Sequence, residues 1–113
     1  MKKGDLYWAN LDPTIGSEIS KRRPVLIVSN DINNQYAETI TILPVTTSTE
    51  RVYPFEILIN AGDGNIQETS KIKANQIRTI DKQRLFQKIG TISVSKLKET
   101  EKAILIHLDI SST

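Results

Sequence analysis

Cysteine is absent from this chain of 113 residues, so no disulfide, thiolate nucleophile or cysteine-based metal site can be built from it. Histidine occurs once, at His107. A mechanism needing a histidine pair is thereby excluded, and the place of His107 between Ile106 and Leu108 points to a structural role. Carboxylates cluster nowhere. Asp5, Asp12, Glu18, Asp31, Glu38 and Glu50 stand singly in different segments without the spacing of a metal motif, so neither a metal nor another cofactor is expected. Gly62 and Gly64 flank Asp63 without the lysine and helix that a phosphate cradle requires, and read as a plain turn. The longest apolar run, Val25 to Val28, falls far short of the ~20 residues of a membrane helix. The opening "MKKGDLYW" starts like the basic end of a secretory leader but continues with Gly4 and Asp5, so a cytoplasmic protein without a membrane partner is expected. A net charge of +2 permits a polyanionic partner without demanding one.

What is present suits one small folded domain spanning residues 1–113, mainly β with helices. A chain this long buries roughly two thirds of its unfolded surface on folding. Leu6 to Leu11 reads as a first strand, with Asp12-Pro13 opening a loop. Val25 to Ser29 is apolar throughout, which predicts a strand covered on both faces, and Asn30 to Asn34 mark a turn after it. Thr39 to Leu43 alternates, and Pro44 predicts a bulge or an edge. Phe55, Ile57 and Ile59 form the apolar face of another strand, ended by the turn "AGDGN". A strand is expected over Ser70 to Ile77, with Lys71 and Lys73 on a solvated basic face. Asp81 is positioned to cap a helical turn through Leu85, and Lys88 to Ile92 reads as a last strand. Ser93 is the expected N-cap of a final amphipathic helix. Its main face is Val94, Leu97, Glu101, Ile104, Leu105 and Leu108, and Ala103, Ile106 and Ile110 form a second apolar stripe suited to a groove or subunit interface.

The stretch "SKRRPVLIVSND", from Ser20 to Asp31, sets three cations against a proline that opens a buried strand. Pro24 keeps Arg23 extended, which pre-positions a guanidinium at a sheet rim. "TTST", Thr46 to Thr49, follows the next strand, so a hairpin would bring cations and hydroxyls together. A planar guanidinium suits a phosphate and can stabilise charge on phosphoryl oxygens during strand cleavage. In RNA the adjacent 2′-hydroxyl is a built-in nucleophile, so alignment, charge stabilisation and proton transfer suffice. The same residues equally fit a solvated loop at Arg23 and a strand cap at Thr46.

The pieces "KGDLYWANLDPTIGSE", "RPVLIVSND", "PVTTS" and "NQIRTIDKQRL" resemble the MazF/PemK family of toxin endoribonucleases, in the same order and over nearly the whole chain. The resemblance implies a small SH3-like β-barrel of the PemK/CcdB type with a C-terminal amphipathic helix. It implies a homodimer that cuts single-stranded RNA without metal and is inhibited by a cognate antitoxin of the MazE/PemI kind. Carried over position by position, Arg23 matches the catalytic arginine, Thr46 the catalytic threonine and Glu18 a loop acid assisting proton transfer. Ser17, Lys21, Arg22, Thr47, Ser48, Gln76 and Arg84 fall along the RNA groove. Arg22 stands where some relatives carry histidine, and "NAGDGNIQETSKIKAN" matches only loosely. Two other functions remain open. A gyrase poison of the CcdB type would need a tryptophan near the C-terminus, whereas the one tryptophan here is Trp8. A catalytically silent RNA-binding module would bind with a salt dependence of about −0.7 per phosphate contact and yield no products.

Overall fold

The computed structural model describes residues 1–111. In chain order it contains β1 (Asp5–Asn10), β2 (Arg22–Ile27), α1 (Asp31–Tyr36), β3 (Thr39–Thr46), β4 (Glu56–Ile59), β5 (Ser70–Lys73), β6 (Arg78–Asp81), β7 (Leu85–Thr91) and α2 (Val94–Leu108). Three-residue 3-10 turns lie at Asp63–Asn65, Ala74–Gln76 and Lys82–Arg84. The strands form one antiparallel sheet in the order β4-β5-β3-β2-β1-β7, with β6 also alongside β3. The mainly β architecture with a C-terminal helix is as expected. The barrel is open: β6 pairs with β3 and β7 with β1, and the turn Lys82–Arg84 spans the gap between them.

Both faces of the central strands are covered, as the unbroken run Val25–Ile27 requires. Inside the curl, Ala9, Leu11, Val25, Ile27, Ile40, Ile42 and Ile80 make one buried cluster. On the other face Leu6, Leu26, Leu43, Val45, Ile57, Ile59 and Ile72 pack beneath α2 with Ala103. Each fully buried Leu, Ile or Val contributes about 1.5–3 kcal/mol. The period-2 alternation of β1 and β2 assigns Leu6 and Leu26 to one cluster and Ala9 and Val25 to the other.

Pro44 lies inside β3, buried, and not at an edge. The register with β6 stops at Ile42 and the register with β5 begins at Val45, so the missing amide hydrogen falls where β3 changes partner. The expected strand over residues 70–77 is two elements, β5 and the turn Ala74–Gln76, and β6 follows as a separate strand. The turn expected at Asn30–Asn34 is the start of helix α1. Asn30 caps it by accepting from the Asn33 amide at 2.8 Å, and buried Asn34 donates to the Ser29 carbonyl at 2.8 Å. Asp81 caps its turn as expected, accepting from the Gln83 amide at 2.8 Å.

Helix α2 is N-capped by Ser93 and ends at Asp109 in the left-handed conformation, whose amide donates to Leu105 and Ile106 carbonyls. Its inward stripe differs from the expected one. Leu97, Thr100, Ala103 and Ile104 face the core, while Val94 and Leu108 are exposed. Small residues at 100 and 103 let the helix approach β4 and the turn Ala74–Gln76 closely. The Thr100 hydroxyl is satisfied by the Lys96 carbonyl at 2.8 Å, so it can be fully buried.

The turn after β4 packs against β7 through two glycines. Gly64 has φ +63°, and a Cβ there would meet Leu6 Cδ1; a Cβ on Gly90 would meet the Gly64 carbonyl. Beside them Asp63 accepts hydrogen bonds at 2.9 Å from both the amide and the hydroxyl of Ser93, docking the turn on the start of α2. Gly90→Ala is therefore expected to destabilise the fold by about 2 kcal/mol, a fall of roughly 10 °C in Tm by calorimetry.

Candidate active site at the end of strands β2 and β3

Antiparallel pairing of β2 with β3 runs from Ile27 opposite Ile42 to Val25 opposite Pro44. Two residues further along each strand stand Arg23 and Thr46, at the same end of the sheet and, by strand alternation, on the same face. The meeting of cations and hydroxyls expected from sequence thus follows from register. Arg23 and Arg22 lie within β2, opposite Ala9 and Asn10 of β1, so the strand begins earlier than expected. Half-buried Arg23 donates from Nε to the Ser20 carbonyl at 3.2 Å. That bond holds the guanidinium plane and leaves the terminal Nη donors for an anion. The Thr46 hydroxyl accepts from the Ser48 amide at 3.2 Å, so its own proton remains free to donate. Thr47 and Ser48 are exposed on the turn that follows.

The loop between β1 and β2 carries Ser17, Glu18 and Lys21. At its base the Leu11 amide donates to the Lys21 carbonyl at 2.9 Å, and the Lys21 amide, on a residue with φ 68°, to Asp12 Oδ1 at 3.1 Å. Gln76, expected along the RNA groove, clamps this loop. Its Oε1 accepts from the Ile19 amide at 2.8 Å and its Nε2 donates to the Ser17 carbonyl at 3.3 Å. Arg84, also expected in the groove, donates from Nη1 to the carbonyls of Asn10 and Asp12, and Arg78 to that of Leu11. Both guanidiniums thus hold the end of β1 and the start of the loop. Glu18 is exposed, and its Oε1 accepts from the Ile15 amide at 2.9 Å, so its carboxylate closes a turn of its own loop.

Three adjacent cations precede Pro24. Among the described residues, no ion pair within 4.0 Å involves Lys21, Arg22 or Arg23. Arg22 lies over the exposed ring of Phe86, 5.2 Å from its centroid. No group of three or more His, Cys, Asp or Glu side chains gathers in metal-binding fashion among the described residues. The single histidine is exposed, its ring 6.2 Å from that of Phe55, and is not part of the core.

On the other side of Thr46 stands Lys71 of β5, its register partner. The solvated basic face expected for β5 is overturned here: Lys71 is buried and its Nζ lies 3.2 Å from Glu56 Oε1, with Lys73 at 3.5 Å from Oε2. Pairing of β4 with β5 sets Glu56 opposite Lys73 and diagonal to Lys71 on one face of the sheet, which no single strand's alternation reveals. The cluster also anchors the segment after Thr46. Lys71 donates to the Arg51 carbonyl at 2.7 Å, and Glu56 accepts from the Tyr53 amide at 2.9 Å.

With this geometry in view, comparison with known proteins is decisive. Residues 2–108 match the family described as PemK-like, MazF-like toxin of type II toxin-antitoxin system. The chain belongs to this MazF/PemK toxin family. It is 38% identical to endoribonuclease MazF9 of Mycobacterium tuberculosis, covering 99% of each chain. It is 37% identical to endoribonuclease EndoA of Bacillus subtilis, over 96% of this chain and 94% of the relative. Its fold matches MazF in a MazE-MazF structure from Deinococcus radiodurans with a TM-score of 0.79 and 26% identity, over 98% of this chain and 97% of that one. The strands Arg22–Ile27 and Thr39–Thr46 carry Arg23 and Thr46 to one end of the sheet.

Glu56 makes this toxin's stability pH-dependent. Burial pushes its carboxyl up, but the Tyr53 amide, the Lys71 hydrogen bond and the charges of Lys71 and Lys73 outweigh burial and hold it below the ordinary glutamate value. A lowered folded value stabilises the fold above the unfolded glutamate range of about 4.3, and that contribution is lost as pH falls through the folded value. Glu56→Gln should lower stability at pH 7 by about 3 kcal/mol by leaving Lys71 buried without its partner. In urea titrations the variant should lose less stability than wild type between about pH 5 and pH 3.

Proposed function

We propose that this toxin is a metal-independent, sequence-specific endoribonuclease that cuts single-stranded RNA by attack of the 2′-hydroxyl on the neighbouring phosphate. Its class is that of its family: a MazF-type toxin endoribonuclease of a type II toxin-antitoxin system. The observation that carries the finer reading is the convergence of Arg23 and Thr46 at one end of the β2-β3 pair, with the cations before Pro24 free of carboxylates.

In the reaction the 2′-oxygen bonds to phosphorus and loses its proton, the bond from phosphorus to the 5′-oxygen breaks, and the departing oxygen gains a proton. Arg23 stabilises the negative charge that builds on the phosphoryl oxygens. Thr46 donates a hydrogen bond from its hydroxyl to the same group and keeps its proton. Lys21 and Arg22, with Ser17, Thr47 and Ser48, draw in and align the strand. Gln76 and Arg84 contribute by holding the loop that covers it. Glu18 assists proton transfer once its carboxylate leaves the Ile15 amide. No step in this scheme requires a metal.

The neutralising partner is a MazE-like antitoxin, a reading supported by the relative solved with MazE. An acidic segment would be attracted to the same cations as RNA. Among the described residues no helix is long and apolar enough to cross a membrane, and the cytoplasm, where RNA is met, is the proposed location.

Arg23→Ala and Thr46→Ala should each slow cleavage of a cognate RNA by roughly 10²-fold or more, with circular dichroism unchanged. Undiminished cleavage by Arg23→Ala would remove Arg23 from the mechanism. Binding without any products from the wild-type protein would favour the silent RNA-binding module.

The protein is also proposed to act as a homodimer. Exposed apolar side chains on and just beyond α2 support this: Val94, Ile106 and Leu108 on the helix and Ile110 after its end are 71%, 57%, 46% and 52% exposed in the single chain. Light scattering at micromolar concentration should give twice the mass of one chain, and a monomer there would count against it.

A further inference from the structure

A second concavity opens at the same end of the sheet as Arg23 and Thr46, but on the opposite face. Its volume is about 530 Å³, within the range of small-molecule sites. Trp8 and Pro24, register partners on β1 and β2, form part of its wall, and Gln87 of β7 stands opposite Trp8 on the other side. Thr47, Gln67, Lys88 and the carboxylate-bearing Glu68 also line it.

We propose that this concavity is a base subsite for a nucleotide flanking the scissile phosphate, with Trp8 as the stacking platform and the amides of Gln67 and Gln87 reading the base edge. The proposal rests on the ribonuclease reading above and adds where part of the sequence preference resides. Three features carry it. First, the chemistry is that of a base site. Trp8, 37% exposed, offers an indole face beside the ring of Pro24, and stacking on aromatic faces is how unpaired bases are held. Second, Gln67 and Gln87 are both exposed, and each primary amide carries a donor and an acceptor, the combination that distinguishes base edges. Lys88 is half exposed at the same rim, with its Nζ paired to Asp5 Oδ2 at 3.5 Å. Third, the concavity is continuous with the catalytic end. Pro24 follows Arg23 along β2 and so turns to the opposite face, and Thr47, first residue of the turn after Thr46, lines the concavity. A single RNA strand crossing the sheet end therefore sets its phosphate against the first pair and an adjacent base against the second.

The test is cleavage of an RNA pool randomised around the cut, with fragment 5′ ends sequenced for wild type, Trp8→Ala, Trp8→Phe and the double variant Gln67→Ala/Gln87→Ala. Trp8→Ala should lower kcat/KM on the sequence preferred by wild type about tenfold or more, and Trp8→Phe should restore most of it. The double variant, changed only at exposed positions, should lose preference at one position beside the cut and keep it elsewhere. Because Trp8 is the one tryptophan, an all-deoxy version of the preferred sequence, which lacks the 2′-hydroxyl, should quench the protein's indole emission. Unchanged preference at every position in the double variant, or no quenching on binding, would overturn the subsite while leaving the ribonuclease standing. No cleavage by wild type would overturn both. Variants that keep every RNA preference yet escape the neutralising protein would assign the concavity to that protein and overturn the proposal.

Discussion

Strand β3 pairs with β6 over its first half and with β5 over its last two residues, and Pro44, which has no amide hydrogen to offer, stands between the two registers. The change of partner lets the sheet divide around β3, with one limb curling through β6 toward β7 and the other passing through β5 and β4 beneath α2. Each limb closes over one apolar face of β2. The end of β3 then emerges between the beginning of β2 and the end of β5, and Thr46 has Arg23 on one side and Lys71 on the other. A proline inside a central strand is ordinarily destabilising. Here it falls between the β6 and β5 registers on one side of the strand, with Val25 of β2 opposite it on the other.

Net charge alone would not have identified the site, because most neighbouring cations have structural partners. Arg78 and Arg84 satisfy carbonyls at the end of β1, and Lys71 and Lys73 neutralise Glu56. Lys21, Arg22 and Arg23 are consecutive and none of them pairs with a carboxylate, so three positive charges lie together on the segment leading to Pro24. The buried Glu56 cluster fixes the segment Arg51–Tyr53, downstream of Thr46, as Gln76 fixes Ser17 and Ile19. The two loops flanking Arg23 and Thr46 are thus held by polar contacts from the scaffold. Such contacts restrict where an RNA backbone can lie and reduce the ordering cost of binding it.

Much of this was legible in the residues themselves. The apolar run after Pro24, the alternation through Ile40 and Ile42, the Asp81 turn and the Ser93 cap all rest on interactions between near neighbours, and each forms. The pairing of Arg23 with Thr46 was legible as well, because a proline-fixed strand start and a hydroxyl-rich strand end on consecutive strands meet whenever those strands pair. Less legible was which apolar stripe of α2 faces inward. Large side chains at 94, 105 and 108 outweigh Thr100 and Ala103 in any count of hydrophobicity, but close packing against β4 selects the small ones.

By itself, then, the sequence determined the local elements, the cation-proline device at Arg23 and the kinship with the MazF/PemK toxins, since these depend on side chains close together in the chain or on an ordered set of motifs. Tertiary structure decided the rest. It turned Lys71 from a solvated residue into the buried partner of Glu56, and made Gln76 and Arg84 braces of the β1–β2 loop. It also set Trp8 beside Pro24 and Gln87 at the mouth of a concavity. Each of these joins residues 15 to 79 positions apart, and strand alternation specifies which face a side chain takes but not which strand will lie beside it.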